Sequence, residues 1–211
     1  MSYKNFKAPF IKDDIIKLEA ESFRTKFCGN IIPVDIETII EKRLEISVVP
    51  VPELENISSS DALISSNWEC IYVDHRCYSD DRYESRVRFS LAHEMGHFVL
   101  HKKIYNELGI KKLDDVYLME ELPEDEYSKF EHQATRFASH ILIPREHLIA
   151  ERKKLLENHK TEFNNKRIEL DWDTLDGYLA IPLSKIYKVS ESAMNVALSD
   201  IRVTALDSQF L

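Results

Sequence analysis

From Ile11 to Phe27 the apolar residues Ile11, Ile15, Ile16, Leu18, Phe23 and Phe27 recur mostly at helical intervals, and Cys28-Gly29-Asn30 supplies a stop. Pro33 opens a second helical stretch, Val34 to Leu44, with Asp35 and Glu37 in its first turn, where carboxylates complement the helix dipole. The period then shortens. Ile46 to Val51, Ala62 to Ser65 and Cys70 to Val73 are short β-branched runs separated by Ser- and Asn-containing turns, and they predict a three-stranded antiparallel meander. Helical spacing returns from Tyr83 to Lys103 and again from about Asp125 to Ile143, where Pro144 should end it. A polar helix is expected over Arg145 to His159, then a charged linker over Thr161 to Asp173. Three short helices should follow, Leu175 to Ala180, Leu183 to Tyr187 and Glu191 to Asp200, in an order resembling a helix-turn-helix.

A chain of 211 residues, 44% hydrophobic and 31% charged with 4 Gly and 7 Pro, fits one packed core with a small appendage and argues against disorder or low complexity. No apolar run follows a basic start, and none approaches the ~20 residues of a membrane helix, so a cytoplasmic protein is expected. Cys28, Cys70 and Cys77 are an odd set without CxxC spacing, which suggests neither a disulfide framework nor a thiolate zinc site. A net charge of −9 disfavours broad binding to nucleic acid or anionic membrane.

Chemistry concentrates in His93-Glu94-Met95-Gly96-His97, which matches H-E-x-x-H. Two histidines four apart point from one helix face toward a single metal, and Glu94, about 100° round the helix from His93, can serve as base toward a water without being a ligand. Ser90, Glu94, His97 and His101 share one arc with His93, while Val87, Leu91, Ala92, Met95, Phe98, Val99 and Leu100 occupy the rest. The helix should therefore be buried on most sides and polar along one stripe. Such a stripe is costly unless a metal or other polar groups satisfy it; hydrogen-bonded core histidines are the simpler alternative.

A catalytic zinc site needs a third protein ligand, with His101, Glu131, His132 and His140 as candidates. His101 lies two turns, ~12 Å of rise, beyond His93, too far to share a metal ~2 Å from each ligand, and suits a supporting or substrate role. Glu131 is preferred, because Ala134, Thr135 and Ala138 share its face and small side chains would let its helix approach the metal helix; most glutamates are simply solvated.

The run Arg88-Phe89-Ser90-Leu91-Ala92-His93-Glu94-Met95-Gly96-His97, with Glu131-x-x-Ala134-x-x-Phe137-Ala138 and Leu142-Ile143-Pro144, resembles the ImmA/IrrE metallopeptidase family from about Pro33 to Pro144. Thr135 stands where that family commonly carries Asn or Asp, at a position that is not a ligand. The resemblance implies a gluzincin-like fold, Zn2+ on His93, His97 and Glu131, and Glu94 as general base. It also implies a regulatory protease that cleaves a helix-turn-helix repressor, often encoded nearby, in control of mobile elements or stress genes. The expected fold is α+β: a zincin-like core at residues 1–160 with the antiparallel sheet packed on helices, and a helical appendage at 171–211.

Two other functions compete. A module that sequesters a repressor without cutting it would have no need of Glu94. A DNA-binding regulator acting through 171–211 lacks the charge, since that segment holds six acidic residues against Lys185, Lys188 and Arg202. The acidic run Asp114 to Glu126, with seven carboxylates, is expected to be a solvated loop, or else a lid favouring a basic substrate segment. Trp68 and Trp172 are expected to pack, His75, His147 and His159 to lie at the surface, and Asp74-His75 carries only a weak metal signal. No oxyanion donor can be named.

Overall fold

The computed structural model describes residues 7–58, 60–65, 67–104, 122–166 and 172–202. These fall into two compact units, divided between Ile141 and Leu142. None of the described helices is long and apolar enough to cross a membrane.

In the first unit, helix α1 (Asp13–Phe27) begins with Asp13 and Asp14 and ends with Arg24 and Lys26, in accord with the helix dipole. It buries Ile16, Ala20 and Phe23, and Phe23 meets Phe137 edge-on with ring centroids 6.0 Å apart. Buried Arg24 donates to the Ile141 carbonyl at 2.7 Å and the Gly29 carbonyl at 3.1 Å, so its charge occupies the carbonyls that close this end of the unit. Gly29, at φ +59°, takes the left-handed turn after the helix. Helix α2 (Ile36–Thr38), capped by the Asp35 carboxylate on the Thr38 N–H at 3.2 Å, runs into a π-helical turn over Ile39–Arg43 and buries Ile36, Ile39 and Ile40.

Strands β1 (Ser47–Val51), β2 (Ala62–Ile64) and β3 (Cys70–Asp74) form one sheet in the order β1-β3-β2. β1 runs parallel to β3, with Val49 opposite Tyr72, and β2 runs antiparallel to it, with Leu63 opposite Tyr72. The sheet is thus mixed and not the antiparallel meander expected. Helix α3 (Leu54–Ser58) intervenes between β1 and β2 and buries Leu54 completely. That crossover carries the chain past β1 and leaves room for β3 between the two strands; period-two patterning is the same whichever strand is the neighbour. Ile71 and Val73 of central β3 are fully buried.

Asp74 ends β3 and caps helix α4 (His75–Tyr78), accepting from the Arg76 and Cys77 N–H groups at 3.0 and 3.2 Å. Asp74-His75 therefore forms a helix cap. A 3₁₀ turn, Asp81–Tyr83, leads into helix α5 (Glu84–Leu100), and helix α6 (Glu124–Leu142) stops before Pro144 as its ring requires.

The second unit holds helices α7 (Arg145–Lys166), α8 (Trp172–Tyr187) and α9 (Glu191–Arg202). α7 runs through the segment expected to begin a linker at Thr161; charged and Asn residues are poor evidence for a stop when neither Gly nor Pro interrupts. α8 is continuous through Pro182, where two short helices were expected. Leu179, Ala180, Leu183 and Tyr187 are all buried along its inner stripe, and this packing holds the helix together against a local cost of ~3 kcal/mol for an internal proline. His147 is half-buried, not a surface residue: its Nδ1 pairs with the Tyr187 hydroxyl at 2.6 Å. Arg152 and Asp176, both buried, approach to 3.5 Å. α8 and α9 are joined by Lys188-Val189-Ser190, and the Ser190 hydroxyl caps α9 through the Ala193 N–H at 3.1 Å. The side chains of Trp172 and His159 lie outside the described residues.

A candidate metal centre between two helices

Gly96, between the two motif histidines, sets how closely α5 approaches α6. A Cβ built there would lie 2.8 Å from the Ala134 Cα and 2.9 Å from its carbonyl oxygen, so the two backbones meet where neither carries bulk. Ala134 and Ala138 are fully buried, as the small-residue face of α6 predicts. This contact brings Glu131 opposite the histidines.

His93 Nε2 lies 3.0 Å from His97 Nε2 and 3.0 Å from Glu131 Oε2, and His97 Nε2 lies 3.3 Å from Glu131 Oε1. Ligand atoms ~2 Å from a tetrahedral zinc stand roughly 3.3 Å apart, so these three side chains fit one ion between them. His93, Glu94 and His97 also offer ligand atoms within 4.8 Å of one another. The Glu94 carboxylate, however, is engaged by the sheet: its Oε2 accepts the Ile64 N–H of β2 at 2.7 Å. Glu131, with an oxygen on each histidine, is the better third donor.

The electrostatics favour a cation among these groups. Burial by itself would raise the Glu131 pKa, but the His97 and His93 imidazoles set against it outweigh burial and hold the carboxyl well below its usual range. Burial likewise works to depress His93, yet the Glu131 hydrogen bond and the Glu94 and Glu131 charges leave it raised. Glu94, 4% exposed, is pushed up by burial, with His97 and His93 pulling the other way.

Other candidates sit apart. His140 meets Asp13 at 3.3 Å, and His132 is exposed. His101, beyond α5, is fully buried and does not reach the point where the ligand atoms meet; its Nδ1 lies 3.1 Å from His97 Nδ1. Burial first, and the neighbouring His97 ring second, lower its pKa to about 3, so it stays neutral. Most of the acidic run Asp114 to Glu126 lies outside the described residues; within them, Glu126 is buried and holds Lys129 at 3.1 Å, the Ala8 N–H at 2.8 Å and Lys7 at 3.2 Å. Trp68 packs edge-on against Phe98, centroids 5.7 Å apart, as expected of a packing residue.

Sequence reasoning passed over two polar side chains of α6. Thr135, dismissed as a non-ligand, places its hydroxyl 3.3 Å from His93 Nδ1, where it can accept that N–H. Gln133, buried, stands 2.9 Å from His101. Neither carried a signal in the sequence, because each acquires its partner only when α6 packs against α5.

Paired helices presenting an H-E-x-x-H and a facing carboxylate, beside a small mixed sheet on an α+β frame, define an HExxH-type metallopeptidase scaffold. Residues 77–199 match the family model of the IrrE N-terminal-like domain, peptidase M78, and the chain belongs to that family. The match begins at Cys77, beyond the sheet, and runs through α5 to α8 into α9, so the C-terminal helices lie within the family's span. No curated protein matches the chain.

Proposed function

We propose that the chain is a zinc-dependent endopeptidase, with the ion held by His93, His97 and Glu131 and with Glu94 as general base. The observation that carries this reading is the meeting of three side chains from two helices, their nitrogen and oxygen atoms at separations of 3.0, 3.0 and 3.3 Å. Zinc held there would supply Lewis-acid polarisation of the scissile carbonyl and acidify the attacking water. Glu94 Oε2 stays on the Ile64 N–H, which fixes the carboxylate and leaves Oε1 to take the water proton and pass it to the leaving amine. Its raised pKa suits a group that must hold a proton between two transfers.

The Ile64 N–H points away from β3, so the outer edge of β2 borders the site. An extended substrate adding along this edge would be presented to Glu94 and the histidines. The substrate we favour is a helix-turn-helix repressor in the same cytoplasm, in control of a mobile element or a stress response; the family resemblance supports this, and a net charge of −9 suits a basic protein partner better than direct nucleic-acid contact.

The test is cleavage of a neighbouring-gene repressor by the zinc-loaded protein, its chelated form and Glu94→Gln. Glu94→Gln should retain zinc and lose at least ~100-fold in rate, the usual range for a general base. Wild-type rates from Glu94→Gln would sink the assignment. Zinc-independent capture of the repressor without cleavage would favour the sequestering module instead.

A further inference from the structure

His101 and its partners are left unused by the chemistry above, although they form a continuous hydrogen-bonded chain. Gln133 Nε2 donates to the Pro9 carbonyl at 2.7 Å. That acceptor can take only the amide NH2, so it orients the Gln133 side chain and turns Oε1 toward His101 Nε2, 2.9 Å away. Oε1 only accepts, so His101 Nε2 must carry a hydrogen. His101 is fully buried, and a ring whose one hydrogen sits on Nε2 offers Nδ1 as an acceptor. Its Nδ1 is then a lone pair facing His97 Nδ1 at 3.1 Å, and the hydrogen between them belongs to His97.

We infer that His101 and Gln133 are positioning residues that lock His97 in the Nδ1–H tautomer, so that its Nε2 lone pair faces the metal. The inference rests on the metal-site reading above. Phe130 holds the rings in place: it stacks on His101 with centroids 3.9 Å apart and leans on His97 at 4.8 Å. His101 can reach His97 because α5 ends there, with the His101 N–H still bonded to the His97 carbonyl at 2.9 Å while its ψ of 5° leaves the helical path. Metal-bound histidines commonly hand their second N–H to an oxygen acceptor. Here the acceptor is a third imidazole, fixed in turn by an amide tied to the N-terminal segment.

The experiment is long-range 15N–1H NMR of the histidine rings in the metal-free protein, paired with zinc affinity by competition against a chromogenic chelator. Wild-type protein should show His97 with its hydrogen on Nδ1. His101→Phe removes the acceptor and should bind zinc 10–100-fold more weakly, the usual loss for such supporting partners. His101→Asn keeps an oxygen near the Nδ1 position and should recover most of that loss. Should His101→Phe fail to fold, Gln133→Met, which removes the acceptor for His101 at similar volume, carries the same test. A wild-type His97 hydrogen on Nε2, or unchanged zinc affinity in His101→Phe or Gln133→Met, overturns the inference. Failure of wild-type protein to bind zinc would instead overturn the metal-site reading, while the NMR result still decides the tautomer.

Discussion

Thr135 is the residue whose importance was least legible in the sequence. The resemblance made it a departure without consequence, whereas its hydroxyl is the partner of His93 Nδ1 at 3.3 Å. Substituting it therefore tests the site without touching a ligand. Thr135→Val, nearly the same shape without the acceptor, should weaken zinc binding 10–100-fold, and Thr135→Ser should leave it close to wild type; equal affinities for all three proteins would remove Thr135 from the site. By contrast, the convergence of His93, Glu94 and His97 was legible because helical spacing within five residues encodes it. The position of Glu131 opposite the histidines was legible only through the alanines beside it, since a lone glutamate carries no sign of its partner. Gln133 and Thr135 announce themselves only once α5 and α6 are placed face to face, and no periodicity of either helix contains that information.

At the scale of elements, the approach of α5 to α6 decides whether a site exists. With Ala134 backbone atoms 2.8 and 2.9 Å from a built Cβ, Gly96→Ala must push the helices apart. We expect a loss of ~1–3 kcal/mol by denaturant unfolding, typical of overpacking, together with weaker zinc binding. A variant as stable as wild type with unchanged affinity would show that the contact is not limiting. The start of α6 supports a second prediction. Lys129 first, then the Ala8 N–H and Lys7, hold the Glu126 carboxyl down to about 2 from an ordinary 4.5. A depressed folded-state pKa means that stability from this group is fully present above 4.5 and is lost as the pH falls toward 2. The segment around Lys7 to Pro9 should then gain hydrogen exchange in that window, and Glu126→Gln should show the same gain already at neutral pH. Identical exchange in the two proteins at neutral pH would contradict it. Helices α1, α5, α6 and α9 were legible to within a few residues because apolar residues recur at helical spacing in each. The strand order and the continuity of α8 through Pro182 were not, because neighbour choice in a sheet and the burial of Leu179, Leu183 and Tyr187 are settled by contacts distant in sequence.

Across the whole molecule, the division falls after Ile141, although the sequence placed it near a charged segment beyond residue 160. Charge and Asn content mark solvation, and α7 satisfies both as a helix, so composition alone had no means of locating the boundary. His93, His97 and Glu131, and the residues proposed to orient them, lie before Leu142, within a single unit. Metal binding should therefore couple to the stability of that unit. A ligand that binds only the folded state at ~100 times its Kd adds ~2.7 kcal/mol, and a chain of this size shifts its Tm by ~2–4 °C per kcal/mol. Zinc at that excess should raise the melting temperature by about 5–11 °C over the chelated protein, and a chain melting in two steps should shift only the step that belongs to the first unit. Glu131→Gln removes one donor while leaving the protein's shape intact, so its zinc-induced shift should fall well below the wild-type value. A shift of full size in that variant would place the metal elsewhere, and with it the reading of Glu131 as the ligand that α6 brings to the two histidines.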